Sequence, residues 1–347
     1  MKYLSLIFVL VLAYSCDKHT FDEPQAGGGF SNGQRRQIQG KSIVVISAHD
    51  DASDYYPQFF HDTYLDKLQN GESFSETEKS ELKSKLNDIL RKDHVRSAGS
   101  RDALKRCANK QDQSETCFAH ALDSYRDYKI ARTYLYGMIE LRTNANADYY
   151  LNTIYCQQSF TNADLSNPTY PIAPMKRPDY NTINAEHVWP RSKFDESSKE
   201  SDYYNLKLSD LHNLYPSFVK TNQERWNYPF NDYNAATDTL TNDFSQYCAS
   251  STGKAFTRAG ENYFDAPDAV KGDIARAMFY MATRHYYYKK PKNMNIDPTQ
   301  EAVLRSWHQL DPVSQEERDR NDKVFAVQHN RNPFVDYPEL VNIVKDF

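Results

Sequence analysis

Two polar motifs near the middle of the chain constrain its fold more than any other feature. The first, Asn181–Phe194, reads NTINAEHVWPRSKF, and the second, Ser209–Phe230, reads SDLHNLYPSFVKTNQERWNYPF. Pro190 ends an extended segment soon after the adjacent pair Glu186 and His187. The apolar residues of the second motif predict another short strand, and its last part predicts a helix. Together the motifs predict a strand, a second strand and a helix.

The side chains on this unit indicate a metal-assisted hydrolysis. On a strand Glu186 and His187 point to opposite faces, so one can bind a metal while the other activates water. The predicted helix Val219–Tyr228 carries Asn222 and Arg225. The oxygen ligands of Glu186 and Asn222 suit Mg²⁺. A hard cation and one imidazole base suffice to hydrolyse a phosphodiester. A buried structural histidine is the alternative for His187.

At these residues the chain resembles bacterial endonuclease I, a family of exported nonspecific nucleases with a ββα-metal (His-Me finger) site. The family patterns EHVxP, SDLHNLxP and VNxxRxN are similar, in this order, to Glu186–Pro190, Ser209–Pro216 and Thr221–Asn227. Further similar pieces are Tyr155-Cys156, Lys271–Met281 and Gln328–Val335, the last with His329 in place of the family's glycine.

The pattern of elements predicts an α+β fold, mostly helical, and no clear linker divides residues 41–347, so we expect a single domain. The resemblance implies that this domain surrounds a ββα-metal core at about residues 183–230. It implies that His187 is the general base and that Glu186 and Asn222 hold one Mg²⁺, with Mn²⁺ or Ca²⁺ as substitute ions. The implied substrate is DNA, with RNA left open, bound mainly through its phosphates and cut to 5′-phosphate ends. We expect a monomer.

Four further side chains are expected to surround this site. His212 and Asn213 are expected to pack and hydrogen-bond beneath it. Arg191 and Arg225 are candidates to bind phosphate oxygens, although Arg225 could equally form a structural ion pair on its helix. A basic and aromatic segment, Arg284–Lys292, is either a further nucleic-acid contact or a solvated helix end.

The N-terminal sequence predicts export. Residues 1–16, MKYLSLIFVLVLAYSC, combine a charged start, a short apolar run and a small residue before Cys16, a pattern typical of a secretory signal. The end of this segment resembles a lipobox, so we expect Cys16 to be lipidated and to anchor the protein at a membrane. Ordinary signal cleavage is the alternative. Residues 17–40 predict a flexible tether. Periplasmic, surface-anchored and secreted locations all stay open.

The cysteine content fits an oxidising compartment. The chain has 5 cysteines, and those other than Cys16 can pair in three ways. We favour a short local bridge, Cys107–Cys117, with Cys156–Cys248 as the long one.

Two other kinds of protein were weighed against a nuclease. His49, Asp50 and Asp51 follow a predicted buried strand and resemble, imperfectly, the signature of zinc-dependent N-acetylglucosamine deacetylases, but a polar turn explains them as well. The 26 tyrosines would also suit a surface lipoprotein that binds glycans or nucleic acid without catalysis. The net charge of −5 excludes a strongly basic protein that coats nucleic acid, but not a local basic groove.

Besides Val219–Tyr228, three further segments are predicted to be helical. Residues 75–92 begin with a capping box formed by Ser75 and Glu78. Residues 121–141 form the second, and the third follows Pro267. The intervening stretch 145–217 is expected to hold strands and loops.

Overall fold

The computed structural model describes residues 35–38, 41–44, 52–96, 100–107, 117–118, 127–194, 202–286 and 294–347. The predicted signal segment, Cys16 and the His49–Asp51 cluster lie outside this part of the chain. So does most of the predicted tether. Its residues Arg35–Ile38 are described, and they form a strand paired with Lys41–Val44, where β-branched Ile and Val favour extended backbone.

Helices form most of the regular structure. They are α1 Gln58–Phe60, α2 Asp66–Asn70, α3 Glu76–Arg91, α4 Tyr128–Tyr134, α5 Asp202–Leu208, α6 Val219–Arg225, α7 Lys271–Arg284, α8 Pro298–Leu310, α9 Gln315–Gln328, α10 Pro333–Asp336 and α11 Leu340–Ile343. Within the described ranges, none of them is both long and apolar enough to cross a bilayer.

The predicted helices are present. The Ser75 side chain accepts a hydrogen bond from the Glu78 N–H and the Glu78 side chain bonds back to Ser75, so the predicted capping box starts α3. The predicted helix after Pro267 is α7. The described part of the predicted helix 121–141 is α4 with a π-helical turn, Leu135–Ile139.

Small antiparallel sheets complete the α+β fold. The strands are β1 Arg35–Ile38, β2 Lys41–Val44, β3 His94–Val95, β4 Ala103–Leu104, β5 Cys117–Phe118, β6 Arg142–Thr143, β7 Tyr149–Asn152, β8 Ser159–Thr161, β9 Ile183–His187, β10 Leu214–Phe218, β11 Thr239–Asp243, β12 Lys254–Arg258 and β13 Glu261–Asp265. They pair as β1-β2, β4-β3-β5, β6-β7-β8, β9-β10 and β11-β12-β13. Strands β7 to β9 and most of β10 lie in the stretch 145–217 predicted to hold strands and loops, but α5 lies there too, so that prediction is wrong at Asp202–Leu208.

Helix α7 is the centre of the larger hydrophobic cluster. It packs against α3 and α8, and every residue of it except Asp273 is buried. A Cβ on Gly272 would overlap the Asp311 carbonyl oxygen, so glycine lets the start of α7 meet the end of α8. A second cluster joins α4 to β9 and β10. Strand β9 begins in this second cluster at Ile183, and Val188, just after it, packs in the first.

Both predicted disulfides are confirmed. Cys107 pairs with Cys117, which lies on β5, and Cys156 pairs with Cys248 across 92 residues of sequence. Cys156 follows Tyr155, and both are completely buried. The long bridge therefore ties the segment after β7 to the turn after β11 next to the candidate site.

A buried histidine on α8 should make folding stability depend on pH. His308 Nδ1 accepts from Arg276 (3.3 Å) and Nε2 donates to the Pro338 carbonyl (3.1 Å). Burial, with the nearby Arg276 charge, lowers the pKa of His308 from 6.5 to about 4. Below pH 6.5 the unfolded chain therefore binds a proton that the folded chain excludes, and stability falls until about pH 4.

We expect His308→Gln to lose less stability than the wild type over this pH range, because glutamine cannot titrate. Thermal unfolding measured at several pH values between neutral and about pH 4 tests this. Parallel declines of Tm in the two proteins would contradict it.

Candidate active site

Strands β9 and β10 pair antiparallel, and α6 follows β10 without a break. His187 lies opposite Leu214, and Glu186 opposite Tyr215. The Val219 N–H, at the start of α6, donates to the Thr182 carbonyl just before β9 (3.0 Å), which fixes the helix against the strand pair. The predicted order of strand, strand and helix is therefore present, with Leu211–Asn213 forming a 3₁₀ turn rather than part of the second strand.

Glu186 is a buried carboxylate held by two partners. Its Oε1 accepts from the Tyr155 hydroxyl (2.8 Å) and pairs with Arg225 Nε (3.0 Å). Burial raises the pKa of Glu186 to about 7, while Arg225 acts in the opposite direction. Both of these partners contact Oε1, and the His187 backbone N–H also lowers the pKa of the carboxylate. A carboxylate has about four acceptor sites, so Glu186 keeps capacity for a further partner.

Asn222 lies beside the Glu186 face of β9. Its Nδ2 donates to Asn184 Oδ1 (2.7 Å), and Asn184 precedes Glu186 by two positions, so both share one face of the strand. This hydrogen bond fixes the amide and leaves Asn222 Oδ1 as an acceptor. One carboxylate and one amide oxygen, with water for the remaining positions, are a donor set that suits Mg²⁺. The residues present therefore fit the expected ion.

His187 is held as a neutral base. Its Nε2 lies 2.9 Å from the Leu208 carbonyl, which can only accept, so Nε2 carries the proton and Nδ1 keeps its lone pair. Burial lowers the pKa of His187 to about 3, and the charges of Arg191 and Arg132 act in the same direction. The ring lies between those of Tyr128 and Phe194, with centroid separations of 5.4 and 5.9 Å.

His212 and Asn213 lie in the buried layer that supports the strands. Asn213 bonds the Trp189 backbone twice, through Oδ1 (2.7 Å) and Nδ2 (3.2 Å), and so fixes the chain just after His187. His212 Nε2 donates to the Asn330 carbonyl (3.1 Å). These contacts connect His212 and Asn213 to backbone segments next to the strand pair, and their expected place beneath the site stays a prediction.

Asp210 is a buried anchor that the sequence analysis did not single out. It accepts hydrogen bonds from Arg284 (2.6 Å), Gln328 (2.8 Å) and Tyr280 (3.2 Å), and it caps the turn that carries His212. Arg284 holds the pKa of Asp210 well below its usual range despite the burial. The expected surface patch is therefore wrong at Arg284, which is 1% exposed because Asp210 pairs with it. Residues 287–292 of that segment lie outside the described part.

Arg225 is enclosed by its own chain. It is 1% exposed, and Nη1 donates to the carbonyls of Trp226 (3.0 Å) and Tyr228 (3.1 Å), while Nη2 donates to that of Val188 (3.1 Å). Together with the ion pair between Arg225 Nε and Glu186, these hydrogen bonds favour a structural role for Arg225 over a phosphate contact. Arg191, in contrast, is exposed on the turn after Pro190.

The candidate site lies in a part of the chain that matches a known protein family. The sequence profile of the endonuclease I family matches residues 77–339, most of the chain and all of the candidate site. The chain belongs to the endonuclease I family.

Curated proteins with similar sequences are nucleases. An extracellular ribonuclease of Bacillus subtilis (strain 168) is 32% identical over 172 residues, 45% of this chain and 51% of the relative. An extracellular deoxyribonuclease of Aeromonas hydrophila is 27% identical over 168 residues, 44% and 65%. Endonuclease-1 of Buchnera aphidicola subsp. Baizongia pistaciae is 29% identical over 166 residues, 45% and 62%. The chain spans about half the length of the Bacillus relative.

Besides Arg191, two further basic residues, Arg132 and Arg177, lie in this part of the structure, and the sequence analysis missed both. Arg132 on α4 lies over the Tyr128 ring (4.4 Å), and its charge and that of Arg191 reach both Tyr128 and His187. Arg177 is close enough for Arg132 to lower its pKa. Among the described residues none of these three arginines forms a salt bridge. Arg132 and Arg177 gave no local sequence signal, because they lie 59 and 14 positions from Arg191.

No cluster of three or more His, Cys, Asp or Glu side chains that could hold a metal lies in the described part of the chain. This does not conflict with the family site proposed from sequence, whose protein ligands are one carboxylate and one amide.

Arg225→Ala should destabilise the fold by about 3 kcal/mol, because it leaves the Glu186 carboxylate buried without its counter-charge. Arg191→Ala, which removes an exposed arginine, is the matched control and should change stability by less than about 0.5 kcal/mol. Urea denaturation with the disulfides intact measures both.

Adding Glu186→Gln to Arg225→Ala should recover part of the loss, because the uncompensated charge is then gone. Equal stability of Arg225→Ala and Arg191→Ala would contradict the structural role of the ion pair.

Proposed function

We propose that this protein is an exported, nonspecific endonuclease that hydrolyses phosphodiester bonds of DNA, with RNA as a second substrate, and leaves 5′-phosphate ends. The observation that carries the proposal is the fixed, neutral His187 next in sequence to Glu186, with the amide of Asn222 held on the Glu186 face of the same strand. The names of the relatives, extracellular ribonuclease, extracellular deoxyribonuclease and endonuclease-1, support both the substrate class and the export.

We assign Glu186 and Asn222 as the protein ligands of a single Mg²⁺, with Mn²⁺ or Ca²⁺ as substitutes. When bound, such an ion neutralises charge on the scissile phosphate and on the leaving 3′ oxygen. Tyr155 and Arg225 hold Glu186 in place, and Asn184 holds Asn222. These partners fix the ligands before substrate arrives, which lowers the cost of assembling the site.

His187 acts as the general base. Its Nδ1 takes a proton from the attacking water, while Nε2–H stays bonded to the Leu208 carbonyl, which keeps the ring oriented and stabilises the imidazolium that forms. The depressed pKa of His187 keeps the base unprotonated at neutral pH. Exposed Arg191, with Arg132 and Arg177, would attract the phosphates of the substrate.

The remaining assignments rest on the sequence. Residues 1–16 would direct export, Cys16 would carry the lipid anchor after cleavage, and residues 41–347 would form one monomeric domain with the ββα-metal core near residues 183–230. Export agrees with the two disulfides, which form in oxidising compartments.

His187→Ala should lower plasmid cleavage by about 10² to 10⁴ while leaving the fold and Mg²⁺ binding intact, because it removes the base alone. The control is His61→Ala, since His61 is also a buried histidine bonded through Nε2 to a backbone carbonyl, that of Ser53. Digestion by the mature chain is measured with Mg²⁺ and with EDTA. Cleavage by His187→Ala at the wild-type rate would exclude it as the base.

If no folded variant cleaves, including wild type with Mg²⁺, a binding protein without catalysis becomes the better interpretation.

Asn222→Ala should raise the Mg²⁺ concentration needed for half-maximal cleavage by about tenfold or more, because it removes an oxygen ligand. Asn222→Asp keeps an oxygen at the same position and should need less Mg²⁺ than Asn222→Ala. A Mg²⁺ titration of cleavage rate compares them. Identical Mg²⁺ dependence of wild type and Asn222→Ala would remove Asn222 from the site.

A further inference from the structure

Trp226 is a large apolar side chain exposed beside the candidate site. It directly follows α6, the helix of Asn222, and 67% of its surface is exposed. The chain has 3 tryptophans, and the others, Trp189 and Trp307, are buried. Burial in the core therefore does not explain why a tryptophan stands here.

The backbone at Trp226 is unfavourable for any residue with a side chain. Its φ is 53° and its ψ −131°. The Tyr228 N–H donates to the Arg225 carbonyl (3.4 Å), so Arg225–Tyr228 is a turn with Trp226 at its second position. These angles are those of a type II′ turn, where glycine is the standard residue. Because the Trp226 side chain is largely exposed, its packing does not offset this backbone strain. Backbone strain of this kind is typical of functional positions.

Polar contacts hold this turn between the metal-ligand helix and a basic turn. Arg225 Nη1 donates to the Trp226 carbonyl (3.0 Å), and the Trp226 N–H donates to the Asn222 carbonyl (3.2 Å). The next residue, Asn227, donates through Nδ2 to Ser192 Oγ (3.0 Å). Ser192 lies in the turn Arg191–Lys193, whose side chains are exposed and include two cations.

We propose that Trp226 is a stacking platform for an unpaired nucleobase next to the scissile phosphate. The proposal rests on the proposed nuclease function and adds to it a preference for nucleic acid with unpaired bases, as in single strands or a locally opened duplex. Every base offers an aromatic face, so stacking adds affinity without sequence preference. In a paired duplex the neighbouring base pairs cover those faces. The rigid turn holds the indole in place, so little conformational freedom is lost on binding.

The test measures binding of the metal-free protein, in EDTA, to two probes. One is a single-stranded oligothymidylate, and the other is an abasic strand of the same length that keeps the phosphates and lacks the bases. Binding of the first probe should quench tryptophan emission, because Trp226 is the exposed indole. Trp226→Ala should bind the oligothymidylate about tenfold more weakly and the abasic strand equally well. Trp226→Phe should keep most of the affinity and lose the quenching.

Two further variants control for folding and for exposed aromatic surface in general. Trp226→Gly should raise Tm by a few degrees while weakening oligothymidylate binding, because glycine relieves the backbone strain. Phe59→Ala, which removes a partly exposed aromatic ring from α1, should leave binding unchanged. Equal affinity of wild type and Trp226→Ala for oligothymidylate would overturn the proposal, and so would an equal loss of affinity for both probes.

These outcomes are separable from those of the nuclease assay. If wild type fails to cleave nucleic acid with Mg²⁺, the proposed function fails, and base-dependent quenching would still establish Trp226 as a nucleobase contact. If wild type cleaves nucleic acid but binds the oligothymidylate and the abasic strand with equal affinity, the proposed function is retained and the stacking role of Trp226 is wrong.

Discussion

The buried ion pair between Glu186 and Arg225 joins the separate segments of the candidate site. Arg225 reaches from α6 to the carboxylate on β9, to the Val188 carbonyl after that strand and to the turn that carries Trp226. Removing both charges from water is costly, and several hydrogen bonds from Tyr155 and the backbone offset that cost. A shift of α6 or β9 would break these bonds together, so the pair specifies one arrangement of the site.

The side chains on the two faces at the end of β9 differ in their chemical properties because their surroundings differ. The Glu186 face meets Tyr155, Arg225 and the asparagines, so it offers oxygens and counter-charge. The His187 face meets aromatic rings and the Leu208 carbonyl, so it favours a neutral ring. Behind them the Asp210 network connects α7 and α9 to the turn before β10. The proposed catalytic groups thus lie on short elements that a deeply buried layer keeps in place.

Local patterns in the sequence predicted much of this structure. The capping box at Ser75 and the apolar spacing after Pro267 depend on neighbours in the chain, and α3 and α7 form there. Both disulfides were predicted from parity and spacing. Arg284 was misplaced on the surface because its partner, Asp210, lies 74 positions away. Arg132 and Arg177 were missed for the same reason. Their segments meet only in the folded chain, where Gly137 leaves room for the backbone at Met175 to pack directly on the turn after α4.

The sequence by itself determined the chemical groups and their order: an adjacent glutamate and histidine, an asparagine on the following helix, and cysteines that can pair. Local motifs carry this information because each needs only a few consecutive residues. The tertiary structure decided what the groups can do. The Leu208 carbonyl determines the tautomer of His187. Tyr155 and Arg225 determine which oxygen of Glu186 is bound within the protein. Burial shifts the pKa values of both Glu186 and His187. These effects depend on residues distant in sequence, because desolvation and hydrogen-bond partners exist only once the segments have packed together.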